Sequence, residues 1–289
     1  MPCVSVLCFN RFSDRGWLLI VSLLLALLEV PYGFAGEGGQ AHSAGERPWL
    51  FDKAAQFAGP ISTDRPSFSL GPNTVPPGRF QIETGYTFSF EQAHPNVKTH
   101  SLPETLVRIG LIDGVEFRVE WPTWTILDSG TRRTSLRDLA LGMKVSLFPQ
   151  QGYRPQVSLA GRLSVPTGDN DVSSDRVDPE FRTILAYAFT ERVGVFSNIN
   201  LAVPTSQGTR FVQGSSSLGV SAVMVEGLTG FAEYFGFYPR DVAQGSGHFL
   251  QTGVLFLLTD HLQWDLRIGA GLTHGTDDVF TGTGLSWRF

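Results

Sequence analysis

The sequence predicts an all-β fold: a transmembrane, antiparallel, up-and-down β-barrel of about twelve strands around a polar lumen. Three observations predict it. Apolar and polar residues alternate with period two from residue 80 to the end, giving long strands with one apolar and one polar face. Long polar connections alternate with tight turns, as in barrels with external loops on one rim and short turns on the other. An N-terminal export signal directs the chain out of the cytoplasm.

Residues 1–35 read as a signal peptide. Arg11 and Arg15 form a basic start, Trp17 to Leu28 an apolar core, and Gly33-Phe34-Ala35 a small-residue cleavage site. An uncleaved anchor is the alternative, but the apolar run is short for a spanning helix. The chain's two cysteines, Cys3 and Cys8, both precede that core. The exported chain therefore has no disulfide and no zinc-thiolate site, and Cys8 is misplaced for a lipoprotein acceptor. Residues 36–60, rich in Gly, Ala and Gln, read as a flexible linker. Residues 61–79 are turn-rich, with Pro66, Pro76 and Pro77 removing ladder donors, and cannot be a membrane strand. They read as a periplasmic lead-in or as a lumen plug whose Asp64 and Arg65 pair with wall charges.

The barrel occupies 80–289. Phe80, Ile82, Tyr86, Phe88 and Phe90 oppose Gln81, Glu83, Thr87 and Ser89, and the same alternation recurs down the chain. It predicts strands near 80–91, 104–112, 114–122, 136–148, 153–165, 179–189, 192–203, 216–226, 228–238, 248–258, 261–271 and 280–289. The facing within 216–238 is ambiguous, because both parities carry apolar residues there. Long connections fall near 92–103, 123–135, 166–178, 204–215, 239–247 and 272–279. Tight turns at Asp113, Pro149 to Gly152, Thr190-Glu191, Gly227 and Thr259-Asp260 separate them. Such a sheet closes because lipid cannot satisfy a strand's backbone N–H and C=O groups. A secreted β-sandwich is the competing fold, but it has no reason to place charges along one face of long strands. Leu285, Trp287 and Phe289 share an apolar face at the C-terminus, resembling the assembly signal of bacterial outer-membrane barrels.

The polar face assigns Glu83, Arg108, Glu116, Arg118, Glu120, Asp138, Lys144, Arg162, Asp265, Arg267 and Arg288 to the lumen. Both signs are present, which suits either a salt-bridged, purely structural interior or a pore wall that orients a polar solute. Other classes fit poorly. A net charge of −5 and the lack of a basic run argue against nucleic acid. The residues His42, His94, His100, His248, His261 and His274 lie in the linker, loops, turns or strand ends, without the Ser–base pairing of a surface hydrolase, so no enzyme is expected. Asp169, Asp171 and Glu180 echo a calcium loop, but Ser174 stands where the loop needs Gly and no helices flank it. A solvated acidic loop, at most bridging a divalent ion to lipopolysaccharide, is the expectation, with no cofactor.

A family resemblance joins these readings. Ser62-Thr-Asp-Arg-Pro-Ser-Phe68, Val75-Pro-Pro-Gly78, Gln81-Ile-Glu-Thr-Gly-Tyr86, Leu102-Pro-Glu-Thr-Leu106 and Arg108-Ile-Gly110 carry its first part. Asp138-Leu-Ala-Leu-Gly-Met-Lys144, Ser164-Val-Pro-Thr-Gly168, Glu233-Tyr234 and the Gly269 to Phe289 ending complete it. Over about 61–289 the chain resembles a Gram-negative outer-membrane barrel family catalogued under transport in the meta-pathway of phenol degradation. The resemblance implies residence in the outer membrane, among its lipids and lipopolysaccharide, after insertion by the barrel-assembly machinery. It also implies passive passage of a small aromatic or hydrophobic solute; a non-conducting structural or surface-interaction barrel is the alternative.

Overall fold

The computed structural model describes residues 59–206, 208–240 and 245–289. The signal peptide read over 1–35, with both cysteines, and the linker up to residue 58, with His42, lie outside the described residues. Sixteen strands follow one another: β1 (Phe80–Glu91), β2 (Val97–Ile112), β3 (Val115–Trp121), β4 (Trp124–Asp128), β5 (Arg132–Leu136), β6 (Leu139–Phe148), β7 (Gln156–Val165) and β8 (Asp178–Ala188). Next come β9 (Val193–Ala202), β10 (Thr205–Ser206), β11 (Thr209–Arg210), β12 (Gln213–Val225), β13 (Leu228–Pro239), β14 (Gly247–Thr259), β15 (Leu262–Gly271) and β16 (Val279–Arg288).

Every pairing is antiparallel between neighbours, and β1 closes the ring by pairing with both β2 and β16. Pro122 and Thr123 interrupt one stave between β3 and β4; both pieces pair with β2. Arg137 and Asp138 likewise separate β5 from β6. Counting each broken stave once, and leaving aside the small β10–β11 hairpin of one loop, the barrel has twelve staves. Closure satisfies every edge in one ring, which a membrane demands.

Two connections differ from expectation. β2 begins at residue 97, because a bulge in β2 at Leu102–Pro103, opposite Tyr86 of β1, lets Pro103 sit inside a paired strand. The connection over 123–135 is the β4–β5 hairpin. At 16 residues, β2 is roughly 50 Å long, well beyond the ~25 Å apolar band of such barrels. Its N-terminal half and the β4–β5 hairpin therefore rise above the membrane, where water meets both faces and no alternation is imposed.

Outward positions form the apolar band: Met143, Leu163, Phe181, Ile199, Leu218, Leu250 and Ile268 are each more than a third exposed. The polar parity is inward, where Glu83, Glu116, Lys144, Ser158, Asn198 and Asp265 are fully buried. Leu285 and Trp287 face outward at the short-turn rim, where Phe289 stacks 4.6 Å from Phe80.

A candidate channel interior

Residues 59–79 touch staves on all sides of the ring. Gln263 of β15 donates to Thr63 (2.7 Å), Asp64 N–H donates to Glu83 of β1 (3.0 Å), and Arg267 of β15 donates to the Pro66 carbonyl (3.1 Å). Ser69 meets Ser217 of β12, Ser158 of β7 donates to the Pro72 carbonyl (2.6 Å), and Val75 N–H donates to Glu116 of β3 (2.8 Å). A segment that contacts opposite walls of a closed ring lies inside it. It enters and leaves at the short-turn rim: Ile61 N–H donates to Asp260 O, and Gly78 N–H to Gly110 O. A Cβ on Gly110 would overlap the Pro76 carbonyl, and one on Gly85 or Gly284 would overlap the Arg65 guanidinium. Those inward positions must be glycine for the segment to lie this close to the wall.

One wall holds the segment by charge. Arg108 lies in register between Gln81 of β1 and Arg118 of β3, and Glu116 opposite Lys144 of β6. Arg108 donates to Glu83 and Glu116, each at 2.8 Å. Arg118 donates to Glu116 (2.7 Å) and Asp64 (2.6 Å), while Lys144 reaches Asp64 at 3.2 Å and the Gly71 carbonyl at 3.0 Å. Three wall cations thus surround one carboxylate of the segment. Burial alone would raise the Asp64 carboxyl, but Arg108, Lys144 and Arg118 together hold it well below the usual carboxylate range. Arg65 reaches Glu104 of β2 at 3.2 Å and, round the ring past β1 and β16, Asp265 of β15 at 3.4 Å.

The opposite wall holds the tip of the segment through Glu233 of β13. Its carboxylate accepts from the N–H groups of Phe68 and Ser69 (2.9 Å each), from the Ser69 hydroxyl, and from Gln251 (2.6 Å), its register partner on β14. Around it is an aromatic arc. Phe68 stacks on Phe235 (4.5 Å, 6°), Phe235 stacks on Phe249 (4.8 Å, 8°), and Phe237 meets Phe68 edge-on (5.3 Å, 86°). A guanidinium stands at either end: Arg182 is 5.8 Å from the Phe68 centroid, and Arg267 is 5.7 Å from that of Phe280. Beside the segment, toward the short-turn rim, is a cavity of about 360 Å³ bordered by Ser67, Leu70, Phe196, Phe231 and Leu255.

The structure brings Glu83, Arg108, Glu116, Arg118 and Lys144 into one network with Asp64. Arg162 and Glu120 form a separate, part-exposed pair at 2.7 Å. Asp265 and Arg267 line the aromatic side, and Arg288 donates to the Gly59 carbonyl at the short-turn rim (2.8 Å). Asp138 is not a lumen residue: at the β5–β6 break its carboxylate accepts from Thr167 and Gly168 N–H, stapling the β7–β8 loop. Asp169, Asp171 and Glu180 do not converge. Asp169 caps Leu136 N–H, Glu180 pairs with Arg182 in the lumen (2.9 Å), and among the described residues no group of three or more His, Cys, Asp or Glu is placed to hold a metal. His100 lies inside β2 and not in a loop, with its Nδ1 2.7 Å from the Tyr86 hydroxyl; His248 Nδ1 is 2.6 Å from that of Tyr234.

Sequence reasoning named Glu233 only as part of the family resemblance and missed its lumen role, Gln251 and the aromatic arc. The signal was the parity of Glu233: Phe231, Phe235 and Phe237 share it and therefore face inward. Apolar Tyr234 and Tyr238 on the other parity hid it.

Comparison with known proteins now bears on this interior. The model of the family described as "Putative MetA-pathway of phenol degradation" matches residues 63–289, which holds both the inserted segment and the whole barrel. The chain belongs to this family. No curated protein matches the sequence. Among solved structures, this family member is similar to an outer-membrane channel from Pseudomonas putida F1, with a TM-score of 0.62 at 11% identity, over 75% of this chain and 97% of the other. It is also similar to the NanC porin, with a TM-score of 0.50 at 9% identity, over 73% of this chain and all of the other (100%). At such identities the likeness is one of fold: the closed barrel of outer-membrane channels and porins.

Proposed function

We propose that this chain is an outer-membrane channel for passive passage of a small aromatic or hydrophobic solute, with residues 61–79 as its plug. One observation carries the reading: the lumen is blocked by a separable segment, not by the wall's own side chains. That segment is held mainly by hydrogen bonds and ion pairs to the wall, with Phe68, Ile61 and Val75 adding apolar contact. The solute class is supported by the aromatic arc, which lines a lumen whose other wall is charged. The cavity beside the plug has room for one ring: an apolar cavity of about 150 Å³ suffices for benzene.

The extensive charge pairing favours a second reading, a permanently closed structural or surface-interaction barrel. Planar-bilayer recording on the refolded chain, with and without residues 61–79, separates the two. The channel reading expects little current from the full-length protein and discrete steps after deletion. Silence from a deletion variant of normal folded gel mobility would leave the closed barrel. In either case lipids and lipopolysaccharide surround the apolar band, and the Leu285, Trp287, Phe289 face serves the assembly machinery.

A further inference from the structure

Resting on the channel reading, we infer that the Phe235–Phe237 clamp with Arg182 is a binding site for a neutral, single-ring aromatic solute, and that Phe68 is its built-in occupant. The plug is thus a pseudo-ligand, and the solute that uses the site displaces it.

The geometry is that of recognition. Phe68 presents one ring to a near-parallel partner at 4.5 Å and an edge-on partner at 5.3 Å. These are the two favoured aromatic arrangements, and both belong to the wall. Arg182, from β8, three staves round the ring from β13, brings its guanidinium to 5.8 Å from the same ring centroid, within cation–π reach. That guanidinium is already paired with Glu180 at 2.9 Å, so the site carries little net positive charge and suits a neutral ring better than an anion. Phe68 is only half-buried, and the residues on either side of it, Ser67 and Ser69, border the cavity of about 360 Å³. Phe68 is the segment's one aromatic residue, set where the wall is aromatic. Competition at this single contact couples solute arrival to loosening of the tip, whose Phe68 and Ser69 N–H groups are held by Glu233 beside the clamp.

The test uses benzyl alcohol as probe, with cyclohexylmethanol as a non-aromatic match of similar size. Ser67→Cys gives a unique thiol in the mature chain, since Cys3 and Cys8 lie ahead of the export signal's apolar core. Its rate of labelling by a water-soluble maleimide is read on the full-length barrel in lipid vesicles. The expected result is a rise of about tenfold with benzyl alcohol and little change with cyclohexylmethanol. Adding Phe68→Leu, which keeps an apolar side chain but removes the ring, should give fast labelling without any alcohol. Adding Phe235→Ala should abolish the difference between the alcohols. Equal acceleration by both alcohols, or none by either, overturns the inference. Bilayer recording on the 61–79 deletion keeps the two ideas apart. Current there without aromatic-selective labelling retains the channel and removes the pseudo-ligand. Aromatic-selective labelling with a silent deletion variant retains the site and removes the conducting channel.

Discussion

Asp64 is the residue on which closure turns. It is 6% exposed, yet it faces Arg108, Arg118 and Lys144, which in turn are held by Glu83 and Glu116. Removing one member of a buried, paired set costs about 3–5 kcal/mol, because the partners stay buried without compensation. Asp64→Asn is therefore expected to free the plug while leaving the barrel intact. Amide exchange across 61–79 should speed up by roughly two orders of magnitude, with the strand amides unchanged; acceleration of less than about tenfold would mean that Asp64 is not the anchor. The sign of its pH dependence follows from the depressed carboxyl. Its contribution is fully present above the ordinary value of 3.8 and is lost only as pH falls through a lower one. Protonation of Asp64 thus plays no part in loosening residues 61–79 near neutral pH.

Strands reveal themselves in sequence only where the two faces meet different media. β1, β3, β7 and β15 separate lipid from a wet lumen, so their alternation is clean and their bounds agree within about three residues. The lumen set Glu83, Arg108, Glu116, Arg118 and Lys144 was legible for the same reason. β4 and β5 were not, because water bathes both faces of a hairpin above the membrane and leaves period two unmarked. β13 was legible in its bounds, read over 228–238, but not in its facing: its inward Phe235 and Phe237 meet a ring of the segment, so both parities are apolar. Asp138 followed the lumen parity of β6 but lies in a break between strands, where a carboxylate serves a loop. This account makes the β4–β5 hairpin dispensable to the barrel. Replacing residues 124–136 by a short glycine–serine turn should preserve folded, heat-modifiable gel mobility and membrane insertion. Loss of insertion would show that β2 needs this outer partner to pair with β1 and β3.

At the scale of the whole molecule, one parity governs everything, because a barrel wall is a single residue thick. Shifting a side chain by one position moves it from lumen to lipid. Asp265, Leu266 and Arg267 display this in three consecutive residues of β15. The first and third face the plug and its ion pairs, while Leu266 is 37% exposed in the apolar band. A guanidinium at 267 donates to Pro66 O and Thr87 and sits over Phe280. The same group one residue earlier meets acyl chains, at a cost of ~2–4 kcal/mol near the bilayer midplane. Leu266→Arg is accordingly expected to lower the unfolding free energy of the lipid-reconstituted barrel by about that amount in a urea titration, without altering the exchange of the plug's amides. Arg267→Leu should do the reverse: it loosens the plug, whose Pro66 carbonyl loses its donor, while the wall keeps its stability. If both substitutions destabilised the wall equally, the inward and outward faces of β15 would not be distinct media, and the polar lumen would lose its physical basis.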